Sequence, residues 1–352
     1  MDFIMNGQGS GAVADKLIEC NGDIGVLRPW IDGAGNQYCT LVRNGKEVTV
    51  QMVGNTTTTM RKDDWLAIDN IVIEAAKPRL KAVADLIGAG LTLSMNGMAA
   101  SSLQTETQSD INDAIVSMDG MREGANDRPE FKDLTIPLPI IHKDFSYSAR
   151  NLLISRNGGS PLDITTAALS SRRVAEEAEK MLIGNSTRAD QYTYGGGTIY
   201  GYTDFPSALS KTFTQPTGLA TDGTTFLTEV LEATQQLRNN YFYGPYVLYT
   251  GTSWQAYLGQ DFKAGSDKTL QQRILEIEEI SAIRPLDYLS GYNLIFVQMT
   301  SDIVREIMGL SLTTVQWDTN GGMKKNFKVM AIMVPQLRAD FNGRTGILNG
   351  SV

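Results

Sequence analysis

Few side chains in this 352-residue sequence have the types and spacing that enzyme chemistry requires. His142 is the only imidazole, and no spacing links it to Cys20, Cys39 or a serine as the base of a nucleophilic pair. Two cysteines and one histidine are also too few for zinc, which takes about four nitrogen or sulfur ligands, or about three in an open site. We therefore predict no catalytic residue and no metal site.

Two glycine-rich stretches invite comparison with phosphate-binding loops. Gly195, Gly196 and Gly197 lack the Gly-Lys-Ser/Thr ending with which a phosphate loop reaches the phosphates and magnesium. Residues 7–12 (GQGSGA) match a loose dinucleotide-binding fingerprint, but Pro29 would fall in a central parallel strand, where it cannot donate a hydrogen bond. A nicotinamide-binding enzyme is thus a distant alternative, and we predict no cofactor.

Composition and charge restrict the class of protein. Apolar residues make up 42% of the chain and charged residues 20%, as in ordinary folded domains. The net charge of −8 argues against sequence-independent binding to a nucleic-acid backbone. No apolar stretch approaches the roughly 20 residues that cross a bilayer, and the start has no export signal. We expect an intracellular protein with no membrane partner.

The first third of the chain changes from strand patterns to a helical one. Residues 22–53 predict a small antiparallel meander, with Asn44-Gly45 as a hairpin turn. Residues 63–87 have helical periodicity, and Pro78 should kink or divide that helix. Residues 90–131 show neither helical nor strand periodicity, and a loop of that length without secondary structure is unusual inside a compact domain. We interpret them as an arm that projects outward.

The clearest single element is a helix over residues 160–183. Ser160 and Pro161 form its start signal, and Gly184 ends it. We predict the ion pairs Arg172–Glu176, Arg173–Glu177 and Glu176–Lys180 along its surface. Later segments mix helices with mainly antiparallel strands and show no regular βα alternation, so the predicted fold class is α+β.

Several segments together resemble one known family, and their order carries the likeness. The segments are RKDDWLAIDNIVIEAAKPRLK (61–81), SSRRVAEEAEKMLIGN (170–185), TIYGYTDFP (198–206), YGPYVLYTGTSWQAYL (243–258) and the closing run 318–349. Gly184 and Gly201 stand where that family has a glycine after its charged helix and a "GI" or "GY" step. The chain resembles the encapsulin (linocin-like) branch of the coat-protein fold of bacteriophage Hong Kong 97 over about residues 60–352.

The resemblance implies a division of the chain into the regions of a capsid subunit. The implied regions are an N-terminal arm with the β meander (1–60), an N-arm helix (61–89), an extended loop (90–131), a peripheral domain (132–197 and 301–334) with a spine helix (160–183), and an axial domain (198–300 and 335–352). The β meander has no counterpart in plain encapsulins, which favours a viral coat protein.

The resemblance also implies a function, which we treat as an expectation. The chain would be a non-enzymatic major capsid protein that forms pentamers and hexamers of an icosahedral shell around the double-stranded DNA of a tailed phage. Assembly would occur in the host bacterial cytoplasm, with portal, cement or scaffolding proteins as further partners and only weak contact with DNA. The alternative is an encapsulin compartment that loads an enzyme cargo.

Subunit contacts would fall to the extended loop and the two helices, and the triple glycine would act as a hinge. The candidate interface residues are Trp65, Met95, Met98, Met118, Met121, Arg172, Arg173, Glu176 and Glu177, and the hinge residues are Gly195, Gly196 and Gly197. Thioether side chains adapt to slightly different environments, as non-equivalent subunit positions require. Residues 90–131 contain no lysine, so we predict a shell without covalent cross-links.

Overall fold

A computed structural model gives the fold. It describes residues 28–352 apart from 32–36, 44–45, 53–61, 77–79, 112–113, 115, 117, 119–120, 122–127, 152–164, 185–192, 219–222, 264 and 322. The helices are α1 (Lys62–Ala76), α2 (Lys81–Gly88), α3 (Thr165–Ile183), α4 (Thr224–Asn239), α5 (Trp254–Leu258) and α6 (Leu270–Leu275).

The strands lie between and after these helices. In chain order they are β1 (Arg28–Ile31), β2 (Gln37–Arg43), β3 (Lys46–Met52), β4 (Thr92–Ser94), β5 (Ser102–Gln108), β6 (Phe131–Pro137), β7 (Ile141–Ser148), β8 (Thr193–Tyr194), β9 (Gly197–Thr198), β10 (Leu209–Thr212), β11 (Tyr246–Gly251), β12 (Ile280–Leu286), β13 (Leu294–Gln298), β14 (Val304–Thr319), β15 (Lys324–Leu337) and β16 (Ile347–Ser351). The predicted α+β class is confirmed.

The predicted N-terminal meander is present as a three-stranded antiparallel sheet. Its order is β1-β2-β3, and Arg43 pairs with Lys46 across the position of the Asn44-Gly45 turn, which itself lies outside the described residues. Pro29 lies in the edge strand β1, opposite Cys39. This antiparallel pairing is incompatible with a parallel dinucleotide-binding unit at these residues, whose glycine motif (7–12) precedes the described part of the chain.

A four-stranded sheet carries the longest hairpin of the described chain. Its order is β4-β14-β15-β7, with β14 and β15 paired over most of their length. Helix α3 packs on β15 and β7 and contacts α1 and α2 on its other side. Because α3 lies between a sheet and two helices, 11 of its 19 residues are buried.

A five-stranded sheet forms a second unit with its own hydrophobic core. Its order is β10-β16-β13-β11-β12, and it buries Phe226 of α4, Trp254 of α5 and Leu270 of α6. The ring centroids of Phe226 and Trp254 lie 4.4 Å apart. The indole N–H of Trp254 donates to the carbonyl of Tyr292 at 2.6 Å. The large aromatic side chains therefore pack against each other, and the buried indole N–H has its acceptor.

The structure gives more detail on two predicted regions, the helical pattern around Pro78 and the irregular arm. The helical pattern of residues 63–87 forms two helices, α1 and α2, and Pro78 falls between them at residues 77–79, which lie outside the described part of the chain. The base of the irregular arm is a regular antiparallel ribbon of β5 and β6, in which Ser102 pairs with Pro137 and Gln108 with Phe131. Within the described residues, no helix is both long and apolar enough to cross a membrane.

Candidate subunit interface

The ribbon of β5 and β6 ends in a tip whose apolar side chains point into solvent. Met118 is 106% exposed, Val116 94% and Met121 84%, and Ile111 and Phe131 are exposed as well. A two-stranded ribbon is at best marginally stable by itself in water, and clustered exposed apolar residues mark interaction surfaces. Within residues 109–131, which we call the tip, Val116, Met118 and Met121 are the most exposed large apolar side chains of the described chain.

The ribbon is also strongly acidic. Residues 102–137 contain eight Asp or Glu and three Lys or Arg, which gives a net charge of −5 in a chain whose total is −8. Glu106, Asp110 and Glu130 of this set are exposed in the structure. The ribbon thus combines apolar and acidic contacts, and the rest of the chain is close to neutral.

The other two methionines of the predicted interface lie in a different environment. Met95 and Met98 are partly buried and pack against the hydrophobic core of this same chain. The chain here follows β14, because the Met95 N–H donates to the Met308 carbonyl at 3.2 Å and the Gly97 N–H donates to the Gly309 carbonyl at 3.0 Å. A contact with another subunit stays a prediction for these two residues. The remaining apolar candidate, Trp65, lies in α1.

Glu176 is the acceptor for both arginines on the spine helix α3. Arg172 Nε and Arg173 Nη1 each lie 2.8 Å from one of its carboxylate oxygens. Burial opposes ionisation of Glu176, but the hydrogen bonds and charges of the two arginines outweigh it and lower its pKa. The predicted pairs Arg173–Glu177 and Glu176–Lys180 are wrong, because Glu176 already binds both guanidinium groups and Lys180 lies 3.6 Å from Glu177.

The triple glycine forms a tight hairpin turn between β8 and β9. Gly195 and Gly196 have φ angles of 59° and 83°, the pair of positive values that a two-residue hairpin turn of this kind requires. Gly197 is packed so closely that a Cβ there would lie 2.1 Å from the Thr135 carbonyl oxygen of β6. Gly197 thus packs this hairpin against the ribbon, and a role of the three glycines as a hinge between domains stays a prediction.

A glycine contact fixes the end of the spine helix. Gly184 ends α3 with φ +70°, and a Cβ on Gly201 would lie 2.2 Å from both the Cα and the N atom of Gly184. Backbone N–H groups of Tyr202 and Thr203 donate to the carbonyls of Leu182 and Ile183, both at 2.9 Å. The family motif pointed to both glycines, but only the structure shows that they touch.

Two buried carboxyl groups lie where helices α2 and α3 meet strand β14. Glu179 of α3 accepts hydrogen bonds from the backbone N–H groups of Ala82 at 2.7 Å and Val83 at 3.3 Å, and burial raises its pKa to about 7. Glu306 of β14 is 0% exposed, and neither of its oxygens has a hydrogen-bond partner among the described residues. Sequence patterns missed both, because carboxylates of this kind are usually exposed.

The residues considered for catalysis lie apart from one another. His142 is exposed on β7, the edge strand of the four-stranded sheet. Cys39 lies in β2 of the N-terminal sheet, and Cys20 falls outside the described residues. His142 and Cys39 therefore belong to different sheets.

The long helix α3, the hairpin of β14 and β15, the projecting ribbon and the five-stranded unit together define the fold that capsid and shell proteins adopt. The virus-like particle from Pyrococcus furiosus has this fold, with a TM-score of 0.56 and 14% identity over 81% of this chain and 98% of that one. The capsid of Myoviridae phage XM1 aligns with a TM-score of 0.55 and 10% identity, over 75% of this chain and 90% of that one. The Hong Kong 97 fold is therefore confirmed.

Sequence comparison gives the family. The chain belongs to the family of unknown function DUF6260, which it matches over residues 8–350. A curated relative, the Type 1 encapsulin shell protein EncA of Myxococcus xanthus (strain DK1622), is 24% identical over 201 residues, which are 56% of this chain. The match spans 62% of the length of that relative, and it is consistent with the encapsulin branch of the fold.

Proposed function

We propose that this chain is the major capsid protein of a tailed bacteriophage and assembles into an icosahedral shell around double-stranded DNA. The observation that carries the proposal is the β5–β6 ribbon, whose tip exposes Val116, Met118 and Met121 almost completely. A monomer gains nothing from holding such a ribbon in water, whereas a neighbouring copy would bury it. The protein acts through contacts with copies of itself and performs no catalysis.

The assembly would follow from repeated heterologous contacts. When a patch on one copy binds a different patch on the next, rotation closes the contacts into rings, which here are pentamers and hexamers. Each contact is modest, but a subunit that binds several neighbours at once is held far more firmly than by any single contact. The acidic ribbon favours a neighbour surface with basic side chains. The regions of a capsid subunit that the resemblance implies for this chain are part of the proposal.

Two features favour a viral shell. The N-terminal sheet of β1, β2 and β3 is an addition to the plain encapsulin plan, and the net charge of −8 suits a container that holds DNA with only weak contact. The proposal places the protein in the virion, after assembly in the host bacterial cytoplasm. Portal, cement and scaffolding proteins would be its further partners.

A cellular encapsulin compartment is the second candidate, and the relative from Myxococcus xanthus, itself named an encapsulin shell protein, favours it. Such a shell would enclose an enzyme instead of a genome. Both candidates share the same assembly mechanism, so they differ in what the particle contains.

Replacement of the two tip methionines tests the assembly mechanism. We expect Met118→Ser with Met121→Ser to lower the yield of particles in electron micrographs severalfold, because both side chains lose their apolar contact with the neighbour. The matched control, Met118→Leu with Met121→Leu, keeps the apolar surface and should assemble. Equal yields from both double variants would contradict the role of the ribbon.

The contents and the cross-links of purified particles test the identity of the shell. After nuclease treatment, a viral shell should release protected double-stranded DNA when opened, whereas an encapsulin should release a protein cargo. On a denaturing gel the shell should run as a single subunit band, because residues 90–131 lack lysine. A ladder of fused subunits would refute that expectation, and tight, salt-sensitive DNA binding by free subunits would count against weak contact with the genome.

A further inference from the structure

We propose that Glu179 and Glu306 form a proton-controlled latch, which holds helix α2 against the spine helix α3 when protonated and loosens as the solution becomes alkaline. Helix α2 leads through β4 into the ribbon along the chain, so the latch would influence how the ribbon is presented to a neighbour. This last consequence rests on the proposed function, whereas the latch itself can be tested on free subunits.

The first part of the latch is the contact of Glu179 with the start of α2. Its two carboxylate oxygens accept from the N–H groups of Ala82 and Val83, which belong to the first turn of an eight-residue helix (Lys81–Gly88). These N–H groups have no acceptor within their own helix. Glu179 therefore provides the side-chain acceptor that joins α2 to α3, and it is only 1% exposed.

The second part is Glu306, whose backbone contacts the segment that follows α2. Its N–H donates to the carbonyl of Leu91 at 2.8 Å, and β14 pairs with β4 at Glu306 and Thr92. The side chain is fully buried, and the described residues supply no hydrogen-bond partner to either oxygen. A buried carboxylate without a partner is very costly, so Glu306 stays protonated while α2 is packed against α3 and β14.

The surrounding groups do not neutralise a charge on this pair. Tyr202 is fully buried beside both carboxyl groups, and among the described residues its hydroxyl has no partner. Asp85 of α2 adds a further negative charge near Glu179 and accepts from the Tyr249 hydroxyl at 3.2 Å. The nearby cation Arg284 lies 3.7 Å from Asp85. Lys81, at the start of α2, pairs with Asp287 instead.

The two carboxyl groups titrate in a defined order. Burial raises the pKa of Glu179 to about 7 despite its backbone hydrogen bonds. Burial raises the pKa of Glu306 well above its ordinary value, and the charge of Glu179 raises it further. Two backbone N–H groups stabilise the Glu179 carboxylate, whereas the described residues supply no donor to Glu306, so ionisation begins at Glu179. When α2 separates from α3, water reaches Glu179 and its pKa returns to the ordinary value. Rising pH therefore favours the separated form, and this effect levels off above about pH 7, where Glu179 is ionised in both forms.

Hydrogen exchange of the α2 amides, followed against pH in free subunits, tests the latch. With intrinsic exchange rates divided out, we expect protection over residues 82–88 to fall roughly 70-fold between about pH 5 and about pH 8, the ratio that proton linkage gives for the shift of Glu179. Glu179→Gln keeps an acceptor but cannot ionise, so its protection should be independent of pH.

Two controls and one assembly experiment complete the test. Glu177→Gln, on the same helix but 46% exposed, and His142→Gln, which removes the only imidazole, should both keep the wild-type profile. A flat profile in the wild-type protein, or an unchanged profile in Glu179→Gln, overturns the latch. If the protein forms no shell, the proposed function fails while the exchange result still stands. If shells form, their yield should depend on pH in the wild type and much less in Glu179→Gln.

Discussion

Gly201→Ala should be one of the most destabilising single methyl additions in this chain. The new Cβ would lie 2.2 Å from the Cα and N atoms of Gly184 and 2.8 Å from the carbonyl carbon of Ile183. Carbon atoms in contact prefer about 3.5–4.0 Å, so the two backbone segments must separate by about 1.5 Å. No side-chain rotation can relieve the overlap, because every atom concerned belongs to the backbone.

The hydrogen bonds across this contact set the magnitude. Tyr202 N–H to Leu182 O and Thr203 N–H to Ile183 O are both 2.9 Å long, and Thr203 Oγ1 donates to Ile183 O at 3.0 Å. A separation of about 1.5 Å takes all three beyond hydrogen-bonding range. Each contributes about 0.5–1.5 kcal/mol, and overpacking adds about 1–3 kcal/mol. We expect a loss of about 2.5–7.5 kcal/mol in the free energy of unfolding.

Urea unfolding of unassembled subunits measures this loss directly, because contacts within a shell would mask it. Gly218→Ala is the matched control, since a Cβ at Gly218 meets nothing within 4 Å. The control should stay within about 0.5 kcal/mol of the wild type. If Gly201→Ala unfolds at the same urea concentration as the wild type, the spine helix is not held at its end by this contact.

Three further predictions concern buried groups. Lys325→Ala should destabilise the subunit by about 3–5 kcal/mol, because Lys325 is 1% exposed and forms a salt bridge with the largely buried Asp318. The control Lys324→Ala, at an exposed neighbour, should have little effect in the same urea assay. Trp254→Ala should cost about 3–5 kcal/mol and lower the melting temperature, whereas Leu231→Ala, which is 47% exposed, should not. The pKa of Glu179 is raised from 4.5 to about 7, so its contribution to stability is fully present below pH 4.5 and is lost as pH rises to about 7. Calorimetry should show a decrease of about 3 kcal/mol over that range, which Glu179→Gln abolishes.

Local signals predicted much of the framework. The β-branched runs around Asn44-Gly45 predicted the N-terminal hairpin, and the periodicity around Pro78 predicted a divided helix, because both depend on backbone preferences of a few neighbouring residues. Gly184 as the end of α3 is confirmed by its positive φ. The order of short motifs predicted the capsid fold, which the solved relatives confirm.

Local signals did not predict the partners of charged and small residues. Glu176 and Glu177 are equivalent in spacing rules, yet only Glu176 is buried and receives both arginines. Local signals predict a flexible joint at the triple glycine, which stays a prediction, but they do not reveal that Gly197 packs against Thr135 of a distant strand. The unpartnered Glu306 lies in a strand whose pattern does not distinguish it from an exposed carboxylate.

The amino-acid sequence by itself therefore determined several turns and the end of α3, since these follow from preferences of adjacent residues, and its resemblance to a known family predicted the fold. Only the tertiary structure decided which glycines touch, which carboxyl groups lose their water and which methionines remain exposed. Burial depends on segments far apart along the chain, such as Ala82 and Glu179, which are 97 residues apart and joined by a hydrogen bond, and no local pattern records which of them will meet.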